Sequence, residues 1–466
     1  MANEGQTILG GNTSGGHYVD LQVWIGDPKD ASKGITVENE SIDSIDITEN
    51  LFTTLPTLNM VLTDAGRFFF RYNVRIGDTI NVRMAPAATQ KEEADEDKMP
   101  APYVEASFTV QSVTDVPDHR NNLYIHRIVG VYAAVGFINK IIQYPQDASI
   151  VEPIPIKKTS ADAMKFVVQQ AGLGFVSDVK TDDYSYWLNA NETAANFCER
   201  ILKHVWISDD DAPVMYTDVK GTAHLTSVKT IVDDKTMTQF ADMQAEVSGG
   251  DSNTLSTIVI ADVYCLNAGG PISNMGAYKV QTSFYTPKNN RASQSMLEFP
   301  QHGQGMLGAI AGAASSLLGG GTKDRSEAYR EKEYQHNDPY LGGISNKQQS
   351  ERDNVTIHDA GGIHFDELHD HYEVAPSHNE MIRRSFFQNF VRIMVDTSKQ
   401  GDLYEKEAHR PRLGSSVKCD FSSSKRIDSI HSGEYAVAEI THKYARGKPY
   451  TQAITLVNDG YFDVGE

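Results

Sequence analysis

LNMVLTD (Leu58–Asp64), RIGDTINVRM (Arg75–Met84), FTVQSV (Phe108–Val113) and YIHRIVGV (Tyr124–Val131) follow one another in the first third of the chain. FVRIMVD (Phe390–Asp396), RLGSSVKCDF (Arg412–Phe421), YAVAEI (Tyr435–Ile440) and YTQAITLV (Tyr450–Val457) repeat that order near its end. Each block is a short β-branched or aromatic run, and the second block of each set opens on an Arg-x-Gly turn. Gly77 and Val110 stand 33 positions apart, against 23 for Gly414 and Val437, and the acidic loop at 91–98 accounts for the excess. Val113 to Tyr124 is 11 positions and Ile440 to Tyr450 is 10. A duplicated β-domain in one chain is the expectation, and duplication suggests a building block for a ring.

Outward from the repeat, 466 residues are too many for one core, and length alone suggests several domains. Lys and Arg total 42 against 62 Asp and Glu, a net charge of −20. That balance argues against a protein that grips nucleic acid through its phosphates, which requires clustered cations. It suits a surface that nucleic acid passes without sticking. Cys198, Cys265 and Cys419 are far apart and form no C-x-x-C pair, so buried free thiols are expected rather than disulfides or metal ligands. MANEGQTILGGNTSGG, at 1–16, has neither a basic nor an apolar signal region and is expected to be a mobile arm on a protein folded in a reducing cytoplasm. The uncharged stretch GMLGAIAGAASSLLGGG, Gly305–Gly321, is shorter than the roughly 20 residues of a spanning helix, so no stable membrane insertion is expected.

The first β-domain is expected at 17–151, and EPIPIKK at 152–158 punctuates its end. The apolar period then changes from 2 to 3.6. Ser160 is the expected cap of a helix with Ala161, Met164, Val167, Val168 and Ala171 on one stripe, closed by Gly172. A second helix after Asn191 carries Ala194, Phe197, Cys198, Ile201, Leu202 and Val205. Trp187 and Leu188 between them are expected to plug a small core, and PVMYTDVKGTAHLTSV reads as a hairpin turning at Asp218–Gly221. Residues 152–235 thus form a small α+β domain, 236–300 a β-leaning one, 301–375 an extended insertion with a short helix at 324–334, and 376–466 the second β-domain, entered through a short helix after Pro376. The fold class is α+β and β-rich: two similar tube-like β-barrel or split-sheet domains flanking a small α+β domain and a long insertion.

One dense group of ligand-type residues exists, HFDELHDHYE (His364–Glu373) with His378 nearby. His369 and His371 share one side of a strand, whereas His364 and Asp366 have the other parity. H-E-x-x-H is absent and no Cys assists, so neither zinc-protease nor zinc-finger spacing is met. A polar edge segment is the favoured reading, and a metal-dependent cell-wall or glycan hydrolase using His364–His378 is the alternative. The chain holds no G-x-S-x-G, no G-x-x-x-x-G-K-[ST] and no strand-linked G-x-G-x-x-G. No catalytic, cofactor or metal residue is assigned.

With repeat and insert in place, the chain resembles the baseplate hub family of contractile phage tails, which is related to the hub module of type VI secretion spike proteins. The resemblance rests on 58–84, on DYSYWLNANETAANFCERILKHVW with YTDVKGTAHLTSV, and on RLGSSVKCDF with GEYAVAEITHKY and AITLVNDG, spanning about 17–231 and 386–460. It implies a structural, non-enzymatic virion protein, assembled in the host cytoplasm as a homotrimer with two tube-like domains per chain. Six such domains make a pseudo-sixfold ring between a hexameric tail tube and a threefold spike, with DNA passing through the lumen. No spike repeat follows Val457, so the spike is expected to be a separate chain. The 301–375 insertion departs from the family pattern and is expected to meet other baseplate proteins. A distal tail or secretion-system hub is the architectural neighbour of this reading.

Overall fold

The computed structural model describes residues 19–27, 34–64, 72, 74–86, 102–118, 123–142, 144, 157–189, 191–208, 211–241, 256–267, 279–286, 291–298, 353–355, 372, 375–386, 389–397, 410–420 and 433–458. The 1–16 arm, the acidic loop at 91–98, the Gly305–Gly321 stretch, the 324–334 helix and residues 364–371 and 373 lie outside them. The first part of the chain forms β1 (Val19–Ile25), β2 (Ile35–Thr36), β3 (Ile42–Asn50), β4 (Thr57–Asp64), β5 (Thr79–Pro86), β6 (Val104–Asp118), β7 (Leu123–Tyr132) and α1 (Val135–Asn139). The insert supplies α2 (Ser160–Gln170), β8 (Gly174–Ser177), α3 (Ala194–His204), β9 (Pro213–Thr217), β10 (Thr222–Ser227) and α4 (Val228–Asp233). There follow β11 (Lys235–Ala241), β12 (Ser256–Asn267), β13 (Lys279–Thr286), β14 (Arg291–Glu298), β15 (Asp353–Val355) and α5 (Ala375–Phe386). The chain closes with β16 (Asn389–Asp396), β17 (Ser416–Asp420), β18 (Gly433–Ala445) and β19 (Thr451–Asn458). The fold is α+β and β-rich.

One 13-stranded sheet carries both copies of the repeat, in the order β17-β11-β12-β16-β19-β18-β3-β4-β7-β6-β5-β1-β2. Within it, β5-β6-β7-β4-β3 and β17-β18-β19-β16-β12 are equivalent antiparallel runs. A sixth strand completes each, but β1 runs antiparallel to β5 whereas β11 runs parallel to β17. Two strands from 236–300 therefore belong to the sheet of the second copy. Because β17 also pairs with β18, the second copy closes into a six-stranded barrel. Among the described residues the first copy stays open, its edge strand β1 covered by the two residues of β2. Closure removes sheet edges that would otherwise seek partners.

The duplication extends to individual bonds. Gly77 N–H donates to Val110 O and Val110 N–H to Asp78 O, both at 2.9 Å. Gly414 N–H donates to Val437 O and Val437 N–H to Ser415 O, again at 2.9 Å. A bulge follows at the same place in each copy, between Val110 and Ser112 and between Val437 and Glu439. Both glycines hold positive φ, +96° and +72°, which the turn requires and a side chain resists. Phe108 and Tyr435 fill equivalent core positions, as do Ile80 and Val417. The first block needs a shift of one residue. Asp64 sits opposite Tyr124, while Thr397, not Asp396, bonds Tyr450 O. Leu58, Met60 and Leu62 thus match Val391, Ile393 and Val395, buried residue on buried residue. Pleat parity demands this, since a slip by one turns every side chain to the other face.

The insert has its own core, formed by Ala163, Met164, Val167, Val168, Trp187, Phe197, Cys198, Ile201 and Leu225. Burying a side chain such as Phe197 contributes about 1.5–3 kcal/mol. Thr159, not Ser160, caps α2 by accepting from Asp162 N–H, and Ala163 rather than Ala161 completes the buried stripe. Thr193 caps α3 by accepting from Asn196 N–H. Trp187 is in the core, but Leu188 points out to solvent. Its neighbour the β9–β10 hairpin turns at Asp218–Gly221, with Gly221 N–H donating to Asp218 O at 3.0 Å. Cys198 and Cys419 are buried free thiols, and burial pushes the Cys198 thiol up to about 12. Among the described residues no helix is long and apolar enough to cross a membrane.

Candidate functional site

The two copies meet along β18 and β3, which pair antiparallel from Glu439 opposite Asn50 to Ala445 opposite Ser44. On the face away from the core the joint is polar and its charges are matched. Thr48 Oγ1 and Thr441 Oγ1 are 3.1 Å apart, and Asn50 Nδ2 donates to Glu439 Oε2 at 2.6 Å. Lys443 Nζ lies 3.4 Å from Asp46, Arg446 Nη2 lies 2.8 Å from Asp43, and Arg392 Nη2 lies 3.4 Å from Glu439. Exposed pairs such as these contribute about 0–1 kcal/mol each, so they set register more than strength.

The core side of the same joint holds a fully enclosed polar chain. Glu49 Oε1 is 3.2 Å from His442 Nε2, and both side chains are buried. His442 Nδ1 meets the Tyr450 hydroxyl, which also accepts from Gln452 Nε2 at 3.1 Å. Glu49 Oε2 accepts from Val219 N–H of the insert hairpin at 3.2 Å. With the imidazole proton assigned to Nε2, each group donates or accepts in turn from Gln452 to Val219, and no orphan is left in a dry site. Tyr103 of the first copy stacks on Tyr450 at 4.1 Å with planes 4° apart. Arg410 lies over Tyr103 at 4.8 Å and donates to Pro102 O at 2.7 Å. Glu49 therefore ties together three bodies: first copy, second copy and insert.

The insert is seated by two tyrosine–glycine contacts. Tyr216 hydroxyl donates to Leu413 O at 3.1 Å, and a Cβ on Gly414 would come within 2.8 Å of the Tyr216 hydroxyl oxygen. A Cβ on Gly221 would come within 2.1 Å of the Tyr132 hydroxyl. Burial raises the pKa of both phenols, reinforced by Glu49 and then Asp218 at Tyr216 and by Asp218 at Tyr132, so both stay neutral.

Of the histidines in the cluster, the structure describes His378 alone. It is buried at the start of α5, its ring tilted against Trp206 at 4.6 Å. The next residue, Asn379, donates to Lys203 O at 3.2 Å and Val205 O at 2.8 Å, satisfying carbonyls at the end of α3. His378 thus belongs to helix packing. Among the described residues no group of three metal-ligand side chains converges. A groove of about 770 Å³ lies beneath the exposed Phe52, lined by Leu202, Met215, Glu380 and Arg383 among others. Its carboxylates are engaged, Glu380 with Arg383 at 3.6 Å and Glu199 with Lys203 at 3.2 Å. The sequence reading did not find the Glu49–His442 joint, because neither residue stands in a motif and 393 positions separate them.

No protein-family model and no curated protein matches the chain. Among solved structures it is similar to the tail protein of Neisseria meningitidis MC58, at 9% identity over 95% of this chain and 97% of that one, with a TM-score of 0.48. It is also similar to the 43 kDa tail protein of prophage MuSo2 from Shewanella oneidensis, at 11% identity over 96% and 100%, TM-score 0.47. A third is an Escherichia coli component of the type VI secretion system, at 8% identity over 91% of this chain and 75% of that one, TM-score 0.37. The structural neighbours are phage tail proteins and type VI secretion proteins.

Proposed function

We propose that this chain is a structural hub of a phage-tail baseplate, a homotrimer whose six β-copies form a pseudo-sixfold ring. The observation that carries the reading is the β18–β3 ladder, which fuses two equivalent copies edge to edge within one sheet. A strand-to-strand joint of that kind, repeated around an axis, closes a ring and buries its own edges. Three chains of two copies match a hexameric tail tube above, and the threefold end seats a separate spike chain below. The polar face of the joint, with Thr48, Thr441 and Thr455 among paired charges, suits a lumen wall past which DNA moves. A net charge of −20 discourages phosphate binding there. The 301–375 insertion is the proposed contact for other baseplate proteins. The proposed role is in the virion, after assembly in the host cytoplasm, with no enzymatic step. Electron micrographs of purified protein test this: end-on rings with six lobes and threefold symmetry are expected, and particles without a ring would overturn it.

A further inference from the structure

Among the described residues, the internal pairing of the two copies leaves one edge of each unpaired in the equivalent position. β18 bonds β17 as far as Val437, and beyond the bulge the same edge bonds β3. β6, its equivalent, bonds β5 as far as Thr109 and Val110, and among the described residues no strand takes the same edge from Gln111 to Pro117. β3 presents to β18 the edge that in β12, its equivalent, bonds β11 only from Ser256 to Val259. Among the described residues, Asp262–Asn267 of β12 pairs with β16 alone. Among the described residues one copy thus lacks a β3-type partner and the other lacks a β18-type partner.

We infer that Thr114–Val116 of β6 pairs antiparallel with Cys265–Asn267 of β12 from a second copy of this chain, reproducing between chains the ladder that β18 and β3 make within one. The inference rests on the ring reading and supplies its joint. Register follows from the equivalences. Thr114 faces Arg127 as Thr441 faces Ala453, and Asn267 faces Phe390 as Thr48 faces Thr57. The Thr441–Thr48 pair therefore becomes Thr114 opposite Asn267. By the same rule Lys443–Asp46 becomes Val116 opposite Cys265. Val116 is half exposed in the single chain, beside the exposed Ile125. Val116 stands where Lys443 supplies the cation of the internal joint, so the two joints differ in chemistry: Val116 against Asp46 would strip water from an unpaired carboxylate. Pro117, which has no N–H to give, ends the ladder and blunts the edge before assembly.

The test uses cysteines on separate chains. Chains carrying Thr114→Cys and chains carrying Asn267→Cys are mixed, allowed to assemble and oxidised, and their native mass is measured in parallel. Expected is a disulfide-linked dimer at twice the chain mass from the mixture, whereas Thr48→Cys/Thr441→Cys in one chain cross-links without a change of mass. An assembled oligomer without the mixed disulfide would overturn this joint and leave the ring reading standing; a monomer would overturn both. Val116→Asp adds a readout: at an exposed position the fold tolerates it, and the concentration for half-assembly is expected to rise about tenfold or more. Unchanged assembly of that variant would count against the pairing.

Discussion

Glu49 and His442, 393 positions apart in sequence, are held 3.2 Å apart where both copies of the β-domain and the insert meet. The pair is buried, so its energetics follow from what is left behind when one partner is removed. Glu49→Ala would strand the His442 and Val219 N–H groups in a dry site, at a cost of about 3 kcal/mol in sum. Glu49→Gln keeps one acceptor and is expected to cost about half as much. Urea unfolding followed by tryptophan fluorescence orders the two variants; equal midpoints would contradict the chain of bonds described for this site.

The paired glycines separate strain from clash. Gly77 and Gly414 both hold positive φ, but Gly77 has open space where a Cβ would go and Gly414 has the Tyr216 hydroxyl. Gly77→Ala is expected to cost about 1 kcal/mol of backbone strain, and Gly414→Ala clearly more. Adding Tyr216→Phe to Gly414→Ala removes the clashing oxygen and is expected to recover part of the loss. A double-mutant cycle with no coupling would show that the contact does not matter.

His204 donates from Nδ1 to Tyr372 O at 2.8 Å and stacks on the Tyr372 ring at 3.9 Å. Burial, with lesser effects from Arg200 and Lys203, lowers its pKa below 6.5. A lowered value means that its contribution is present above pH 6.5 and is lost as pH falls through the folded value. Asp183 and Asp211 have the opposite sign, since burial raises both above 3.8 and their stabilising effect grows on acidification. Hydrogen exchange at the end of α3, corrected for intrinsic rates, should show protection falling from pH 7 to pH 5, and His204→Phe should flatten that fall.

Asn379 binds the carbonyls of Lys203 and Val205 from a neighbouring helix. Asn379→Ala is expected to cost about 1–2 kcal/mol and to speed exchange in the last turn of α3 and in α5. Unchanged exchange there would mean water replaces the amide without loss.

Much of the repeat was legible because each block but the first carries an anchor that tolerates no drift. Gly77 and Gly414 need positive φ, Phe108 and Tyr435 fill the same core position, and Tyr124 and Tyr450 start the same strand. The first block ends in Asp in both copies, and that shared letter drew the alignment one residue out of phase with the pleat. STIVIADVYCL was readable as a strand, but that β12 belongs to the second copy was not, because bulges interrupt its alternation at Ile260–Asp262 and Val263–Cys265. β11 escaped because it runs opposite to its counterpart β1. Helix stripes were readable, but Thr159 rather than Ser160 caps α2: both residue types can cap, and only the backbone decides between them. The joint itself was illegible, since a buried acid and a histidine on separate strands leave no spacing to read. Residues 364–371 and 373, and with them the metal-hydrolase alternative, lie outside the described part of the chain.

The central claim is that two copies per chain and three chains make one ring, and native mass spectrometry of the full-length protein tests it most directly. The account predicts a species at three times the 51.5 kDa chain mass, stable on dilution. A monomer, or a dimer that never advances to three chains, would contradict it.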